Sequence, residues 1–100
     1  MNKFEELTHQ VVPLLKPYVS RISVFGSYVR GEETPESDLD ILVRLKPADQ
    51  RPRLGLKFFG LQSELCTLIG REVDLVTEEG LSPYIRPYIE REKVVLYDEG

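Results

Sequence analysis

Two stretches of the chain carry apolar residues at every third or fourth position, the spacing of a helix with one face on a core. The first lies near the N-terminus, where Asn2 can cap it, and the second covers residues 53–69 and ends at Gly70. A third helix is predicted over residues 82–92, because Ser82 is a capping residue and a proline follows it. The apolar positions of the first stretch are Phe4, Leu7, Val11, Leu14, Leu15 and Tyr18.

Four short segments rich in β-branched and aromatic residues predict strands. They are residues 22–25, 38–45, 72–77 and 94–97. Between the first two lies a turn-rich segment with room for one helical turn from Ser27. The alternation predicts an α/β (α+β) fold, a small mixed sheet of about four strands with helices packed on it. A crossover through residues 53–69 would make some neighbouring strands parallel. The turn-rich segment between the first two strands is short, so those two strands can pair in antiparallel fashion.

Length and composition limit the functions that the chain can have. It has 100 residues, of which 41% are hydrophobic and 30% charged. A chain of this length forms one compact domain, here residues 1–100, without room for a separate substrate domain. The net charge of −4 and the lack of a basic stripe disfavour direct binding of nucleic acid, which needs clustered lysine and arginine.

Cysteine usage and hydropathy predict a cytoplasmic protein. The single cysteine, Cys66, excludes an internal disulfide and suits a reducing compartment. No apolar run approaches the roughly 20 residues that span a bilayer, and acidic residues stand where a signal peptide would be hydrophobic. We therefore expect no association with a membrane.

Two aspartates, Asp38 and Asp40, stand two residues apart at the start of a predicted strand. Their side chains project from the same face of that strand, while Leu39 points into the core. Adjacent carboxylates repel each other, and this repulsion is tolerated mainly where a cation binds between them. Oxygen ligands alone suit a hard ion such as Mg²⁺ or Mn²⁺. Taken alone, such a pair is more often a solvated strand end.

The dipeptide Gly26-Ser27 directly follows the first predicted strand. Glycine lets the backbone approach a ligand closely, and the Ser27 hydroxyl with the N–H groups of the next turn can bind an anion. Together with the acid pair, this indicates an enzyme that holds a nucleoside triphosphate. Two-metal transfer needs a third acid, and Asp74 is the best candidate if its strand lies beside that of Asp38 and Asp40.

These residues resemble the signature of the nucleotidyltransferase superfamily of the DNA polymerase β type: Gly26-Ser27, ten intervening residues, Asp38-Leu39-Asp40 and a later acid, here Asp74. The longer string FGSYVRGEETPESDLDILV is similar to the minimal nucleotidyltransferase (MNT) subgroup. The resemblance covers most of the chain and implies the nucleotidyltransferase fold.

The resemblance also implies a role for each site residue. Ser27 and the backbone of Gly26 would hold the triphosphate of ATP. Asp38 and Asp40 would bind two Mg²⁺ ions, or Mn²⁺ in their place. Asp74 would complete the first metal site and favour deprotonation of the incoming hydroxyl. Arg30 either faces a phosphate or pairs with a nearby acid, and the sequence leaves both open.

Larger relatives bind the acceptor of the nucleotide with further domains. We expect none in these 100 residues, so another molecule must present the acceptor. MNT proteins are typically paired with a HEPN-domain toxin. The resemblance therefore implies an antitoxin that transfers AMP from ATP to a hydroxyl of that partner, a tyrosine in the family. The alternatives are an antitoxin that acts by binding alone, and an enzyme that modifies a small molecule or an RNA end. A homo-oligomer could form the acceptor site in the second case.

The second helical stretch carries apolar residues beyond its main stripe, namely Leu56, Phe59 and Cys66. A surface helix normally needs only one apolar stripe. The additional residues indicate either a surface for a partner or a helix that is buried on two sides, and the sequence does not separate the two.

Overall fold

A computed structural model describes residues 2–100 and shows helices alternating with strands along the chain. The strands are β1 (Val19–Phe25), β2 (Leu39–Leu45), β3 (Val73–Thr77) and β4 (Val94–Asp98). The helices are α1 (Lys3–Leu15), α2 (Ser27–Arg30), α3 (Lys57–Ile69) and α4 (Arg86–Glu92), with short 3₁₀ turns at Ala48–Gln50 and Glu78–Gly80. This order confirms the predicted α+β alternation.

The four strands form one mixed sheet in the order β3-β2-β1-β4. β1 pairs with both β2 and β4 in antiparallel fashion. β2 and β3 are parallel, and α3 lies in the connection between them. The short segment after β1 thus gives an antiparallel neighbour and the helical crossover gives a parallel one, as expected from the lengths of the two connections.

β2, one of the two interior strands, contributes to apolar clusters on both faces of the sheet. Because successive side chains of a strand point to opposite faces, Ile41 and Leu42 belong to different clusters. α1 and α3 cover the face of Ile41 and form the main core. On the other face, Leu42, Leu81 and Ile89 form a smaller cluster that attaches α4 to the sheet.

Two helices begin later than the sequence predicted. α3 begins at Lys57 instead of residue 53, because Gly55 adopts a positive φ of 44° and Leu54 turns into the core. α4 begins at Arg86 instead of Ser82, since residues 82–85 form a turn in which the Ile85 N–H donates to the Ser82 carbonyl. The predictions of helix over residues 53–56 and 82–85 were therefore wrong.

The additional apolar residues of α3 do not lie between two layers. Leu56 is 86% exposed and Phe59 is 70% exposed. The interpretation that these two residues are buried on a second side of the helix is therefore wrong. Cys66 is half-buried, and its sulfur accepts from the Val73 N–H of β3 at 3.3 Å. Among residues 2–100, the structure contains no helix of the length and apolar character needed to cross a bilayer.

We predict that Ile89→Ala lowers the free energy of unfolding by about 2–4 kcal/mol, because Ile89 is 6% exposed and lies in the smaller cluster. Ile85→Ala is the matched control, since Ile85 is 48% exposed at the start of the same helix; its cost should stay below about 1 kcal/mol. Urea unfolding checks both. Equal costs would contradict the role of Ile89 in holding α4.

Candidate active site

The turn between β1 and α2 brings the backbone against an aspartate. Gly26 adopts φ 79° and ψ −154°, a conformation that essentially only glycine adopts. A Cβ atom added at Gly26 would overlap the carboxylate of Asp40. Glycine is therefore required at this position for two reasons, the conformation of the turn and the close approach of Asp40.

Three aspartates lie at the same end of two neighbouring strands. Asp38 immediately precedes β2, Asp40 is its second residue and Asp74 is the second residue of β3. In the sheet register, Asp40 lies opposite Phe25 on one side and opposite Asp74 on the other. The parallel pairing of β2 and β3 thus brings together the acid pair and the third acid that the sequence singled out.

The environment of Asp40 disfavours its charged form. Burial raises the pKa of Asp40, and the carboxylates of Asp74 and Asp38 raise it further, while the Arg30 guanidinium opposes them. Asp38 and Asp74 are exposed, so the one half-buried carboxylate carries the cost of this cluster. Three carboxylates lie close together here, and the single positive charge of Arg30 does not balance them.

The acid cluster has the chemistry of a site for a hard divalent cation. All of its donors are carboxylate oxygens, which Mg²⁺ and Mn²⁺ prefer, and a bound cation would relieve the repulsion that raises the pKa of Asp40. Within the described residues, no three acidic, histidine or cysteine side chains are yet arranged so that they could hold a metal ion. The donor set therefore fits the ion by its chemistry, and its side chains would have to converge on it.

α2 is a single helical turn that begins with the half-buried Ser27. The Val29 and Arg30 N–H groups donate to the Gly26 carbonyl at 3.1 and 3.2 Å. Gly31 ends the turn in the left-handed conformation, with φ 74°. Ser27 and Gly26 thus lie where β1 ends, with Gly26 directly beside Asp40; that this turn binds an anion stays a prediction.

Arg30 pairs with acids in this structure. One guanidinium nitrogen donates to both carboxylate oxygens of Glu92 at 3.0 and 3.1 Å, and Nε donates to Glu32. Both acids raise the pKa of Arg30 through their hydrogen bonds. Of the two roles that the sequence left open, the structure shows pairing with nearby acids. Since Glu92 also contacts Gly26, this pairing places the guanidinium beside the Gly26 turn.

Glu92 is a site residue that the sequence did not single out. It is the last residue of α4, and its Oε1 accepts a hydrogen bond from the Gly26 N–H at 2.7 Å. The only local signal is its position three residues after the buried Ile89, which places both on one face of the helix. That signal does not identify Gly26 as the partner, because the contact depends on how α4 docks on the sheet.

A glycine turn and three carboxylates at one end of a sheet form the kind of site used by enzymes that transfer phosphoryl or nucleotidyl groups. A family model described as "Nucleotidyltransferase domain" matches residues 6–96. Because this match covers most of the chain, the chain belongs to the nucleotidyltransferase domain family.

Relatives with assigned names cover most of this chain. A protein of Methanocaldococcus jannaschii, described as a candidate protein adenylyltransferase, is 39% identical over 87 residues, which are 86% of this chain and 85% of that protein. The protein adenylyltransferase MntA of Thermococcus cleftensis is 46% identical over 76 residues, 76% of this chain and 73% of its own.

Solved structures share the fold. A candidate minimal nucleotidyltransferase superposes with a TM-score of 0.73 at 35% identity, over 93% of this chain and 95% of its own. A complex of the tri-AMPylated Shewanella oneidensis HEPN toxin with MNT antitoxin gives a TM-score of 0.70 at 20% identity, over 95% and 72% of the two chains. These matches confirm the predicted minimal nucleotidyltransferase fold.

We predict that Gly26→Ala rotates the Asp40 carboxylate away from the turn, because the new Cβ would overlap it. The strained backbone should also lower the free energy of unfolding by about 1–3 kcal/mol. Gly31→Ala is the matched control: it has a similar positive φ of 74° but open space around its Cβ, so it should cost about 1–2 kcal/mol and leave Asp40 in place. Crystal structures and urea unfolding of both variants check this. An unmoved Asp40 in Gly26→Ala would contradict it.

We predict that Asp40→Asn stabilises the protein in a chelating buffer at pH 7 by roughly 0.5–1 kcal/mol. The amide keeps the shape and removes a charge that burial and two carboxylates disfavour. Because the folded state raises the pKa of Asp40, the folded protein binds this proton more tightly, and stability falls as the pH rises through that pKa. The gain should therefore shrink when the pH is lowered through it.

Urea unfolding across pH measures this gain. Asp49→Asn is the control, since Asp49 is an exposed carboxylate in the Ala48–Gln50 turn outside the cluster, and its effect should stay within about 0.5 kcal/mol. An Asp40→Asn protein less stable than the wild type at pH 7 would show that the carboxylate makes favourable contacts that outweigh the repulsion.

Proposed function

We propose that this chain is a protein adenylyltransferase that transfers AMP from ATP to a tyrosine hydroxyl of a HEPN-domain toxin. By this modification it acts as the antitoxin of that toxin. The observation that carries the proposal is the placement of the Gly26 turn beside Asp40 and Asp74 at one end of the sheet. The relatives support it, since one is named protein adenylyltransferase MntA and a structure of similar fold joins a HEPN toxin to MNT antitoxin.

The residues divide the work between binding and transfer. Ser27 and the Gly26 backbone hold the triphosphate, with Arg30 beside them. Asp38, Asp40 and Asp74 hold two Mg²⁺ ions, which Mn²⁺ can replace. When bound, the ions supply charge neutralisation of the phosphates and lower the pKa of the acceptor hydroxyl. Ser27 and Gly26 then orient the nucleotide, and the Asp40 side chain lies directly beside the Gly26 turn.

The acceptor approaches from the side of β3. β3 is an edge strand in the described sheet and Asp74 is exposed on it, so a hydroxyl of a partner can reach this carboxylate. Asp74 accepts the hydroxyl proton, the oxygen bonds to the α-phosphorus, and the bond from that phosphorus to the bridging oxygen breaks. The products are the adenylylated partner and pyrophosphate.

Residues 1–100 act as a minimal nucleotidyltransferase domain in the cytoplasm, and the partner protein presents the acceptor hydroxyl. Its net charge of −4 disfavours RNA as the direct acceptor. A nucleotide that binds together with divalent ions is compatible with that charge, because the ions neutralise part of the negative charge of both the nucleotide and the protein.

We predict that the purified protein, incubated with ATP labelled at the α-phosphate, Mg²⁺ and the HEPN protein encoded beside it, labels that HEPN protein. Asp38→Ala combined with Asp40→Ala should abolish labelling, since it removes two of the three acids, whereas Asp49→Ala, an exposed aspartate outside the site, should retain it. Peptide mass spectrometry then identifies the modified residue.

Four results would contradict the proposal in different ways. No transfer by the folded wild type, or equal transfer by the double variant, would reject the enzymatic role of these acids. Neutralisation of the toxin in cells by the double variant would identify inhibition by binding alone. Label on a small molecule or an RNA end, but not on the HEPN protein, would reject the partner as acceptor.

A further inference from the structure

A carboxylate from α4 occupies the donors of the proposed phosphate site. The Gly26 N–H donates to Oε1 of Glu92 at 2.7 Å, and the Arg30 guanidinium donates to both of its oxygens at 3.0 and 3.1 Å. Glu92 thus joins the turn after β1 to the end of α2. It places a negatively charged group where two donors converge.

The packing of α4 holds Glu92 in this position. Ile89, three residues earlier, is buried in the smaller cluster with Leu42 and Leu81, so the same helix face meets the sheet. The helix ends at Glu92, which leaves its side chain at the margin of the cluster, where it is partly exposed to solvent. The contact is therefore supported by an apolar anchor and can open toward solvent.

The Gly26 N–H cannot serve Glu92 and a triphosphate together, and the Arg30 nitrogen that pairs with Glu92 is held by the same carboxylate. A backbone N–H carries one proton and makes one strong hydrogen bond, so a phosphate oxygen bound to Gly26 must displace Oε1 of Glu92. Two negative groups at hydrogen-bonding distance from one N–H also repel each other. Glu92 already repels a second group at this site, since it is among the charges that raise the pKa of Asp40.

We propose that Glu92 is a positioning residue that takes the place of the nucleotide's phosphate on Gly26 and Arg30, keeps both donors aligned, and yields them when a nucleoside triphosphate binds. The inference rests on the proposed function in one respect, that a triphosphate is the ligand of these donors. Glu92 then competes with the nucleotide for the Gly26 N–H, so the protein binds nucleotide more weakly than it would without this carboxylate.

The test is the substitution Glu92→Gln, which keeps the length and an acceptor oxygen but removes the charge. Glu90→Gln is the matched control, because Glu90 lies on the same helix, is exposed and pairs with Lys93 at 3.0 Å. Isothermal titration with ATP and Mg²⁺ should give a Kd on the order of fivefold lower for Glu92→Gln and a Kd within about twofold of wild type for Glu90→Gln. The KM for ATP in the labelling assay should fall in parallel with the Kd.

A Kd of Glu92→Gln equal to or higher than that of the wild type would overturn the inference and leave the proposed function intact. The absence of ATP binding by all three proteins would reject both. Binding by Glu92→Gln alone would support the inference in its strongest form. These outcomes also separate the role from a purely structural one, which would lower stability or kcat without tightening nucleotide binding.

A second measurement does not depend on a variant that folds well. In wild-type protein labelled with ¹⁵N and ¹³C, titration with ATP and Mg²⁺ should shift the Gly26 amide and the Glu92 side-chain carboxyl resonances together, because both lose the same hydrogen bond. A Gly26 amide that shifts while the Glu92 carboxyl resonance stays in place would show that Glu92 remains bound beside the nucleotide, and would overturn the exchange.

Discussion

The close approach of the turn after β1 to the Asp40 side chain is the constraint on which the rest of the site depends. A Cβ atom at Gly26 would overlap the Asp40 carboxylate, so the turn and this acid lie in direct contact. Asp40 in turn lies opposite Asp74 in the sheet. The glycine at this position thereby lets the turn proposed to bind phosphate lie against the acidic side of the site.

The interior strand β2 makes this arrangement compatible with folding. Its alternating side chains enter apolar clusters on both faces, and such burial stabilises the strand strongly enough to carry repelling carboxylates at its beginning. The second cluster has a further effect, since through Ile89 it docks the helix that ends at Glu92. The apolar packing of the sheet and the electrostatics of the site are therefore coupled through α4.

Much of this could be predicted from the sequence because it is local. The order of elements follows from apolar spacing, and the proximity of Gly26 to Asp40 follows from a short connection between two paired strands. The starts of α3 and α4 were missed because a positive φ at Gly55 and a turn over residues 82–85 replaced regular helix there. Glu92 could not be identified because its hydrogen bond to Gly26 links residues 66 positions apart, and no local pattern encodes the docking of α4.

The position of β3 at the edge of the sheet has a consequence for how such proteins diverge. In the described sheet β3 has β2 as its one neighbouring strand, and Asp74 is exposed, so a substitution there disturbs the core little. Gly26 and Asp40, by contrast, are in direct contact, so a side chain at Gly26 would displace the carboxylate. Under the proposed roles, descendants can lose the transfer reaction through a single structurally silent change while they keep nucleotide recognition, which is a short evolutionary route from enzyme to nucleotide-sensing binding protein.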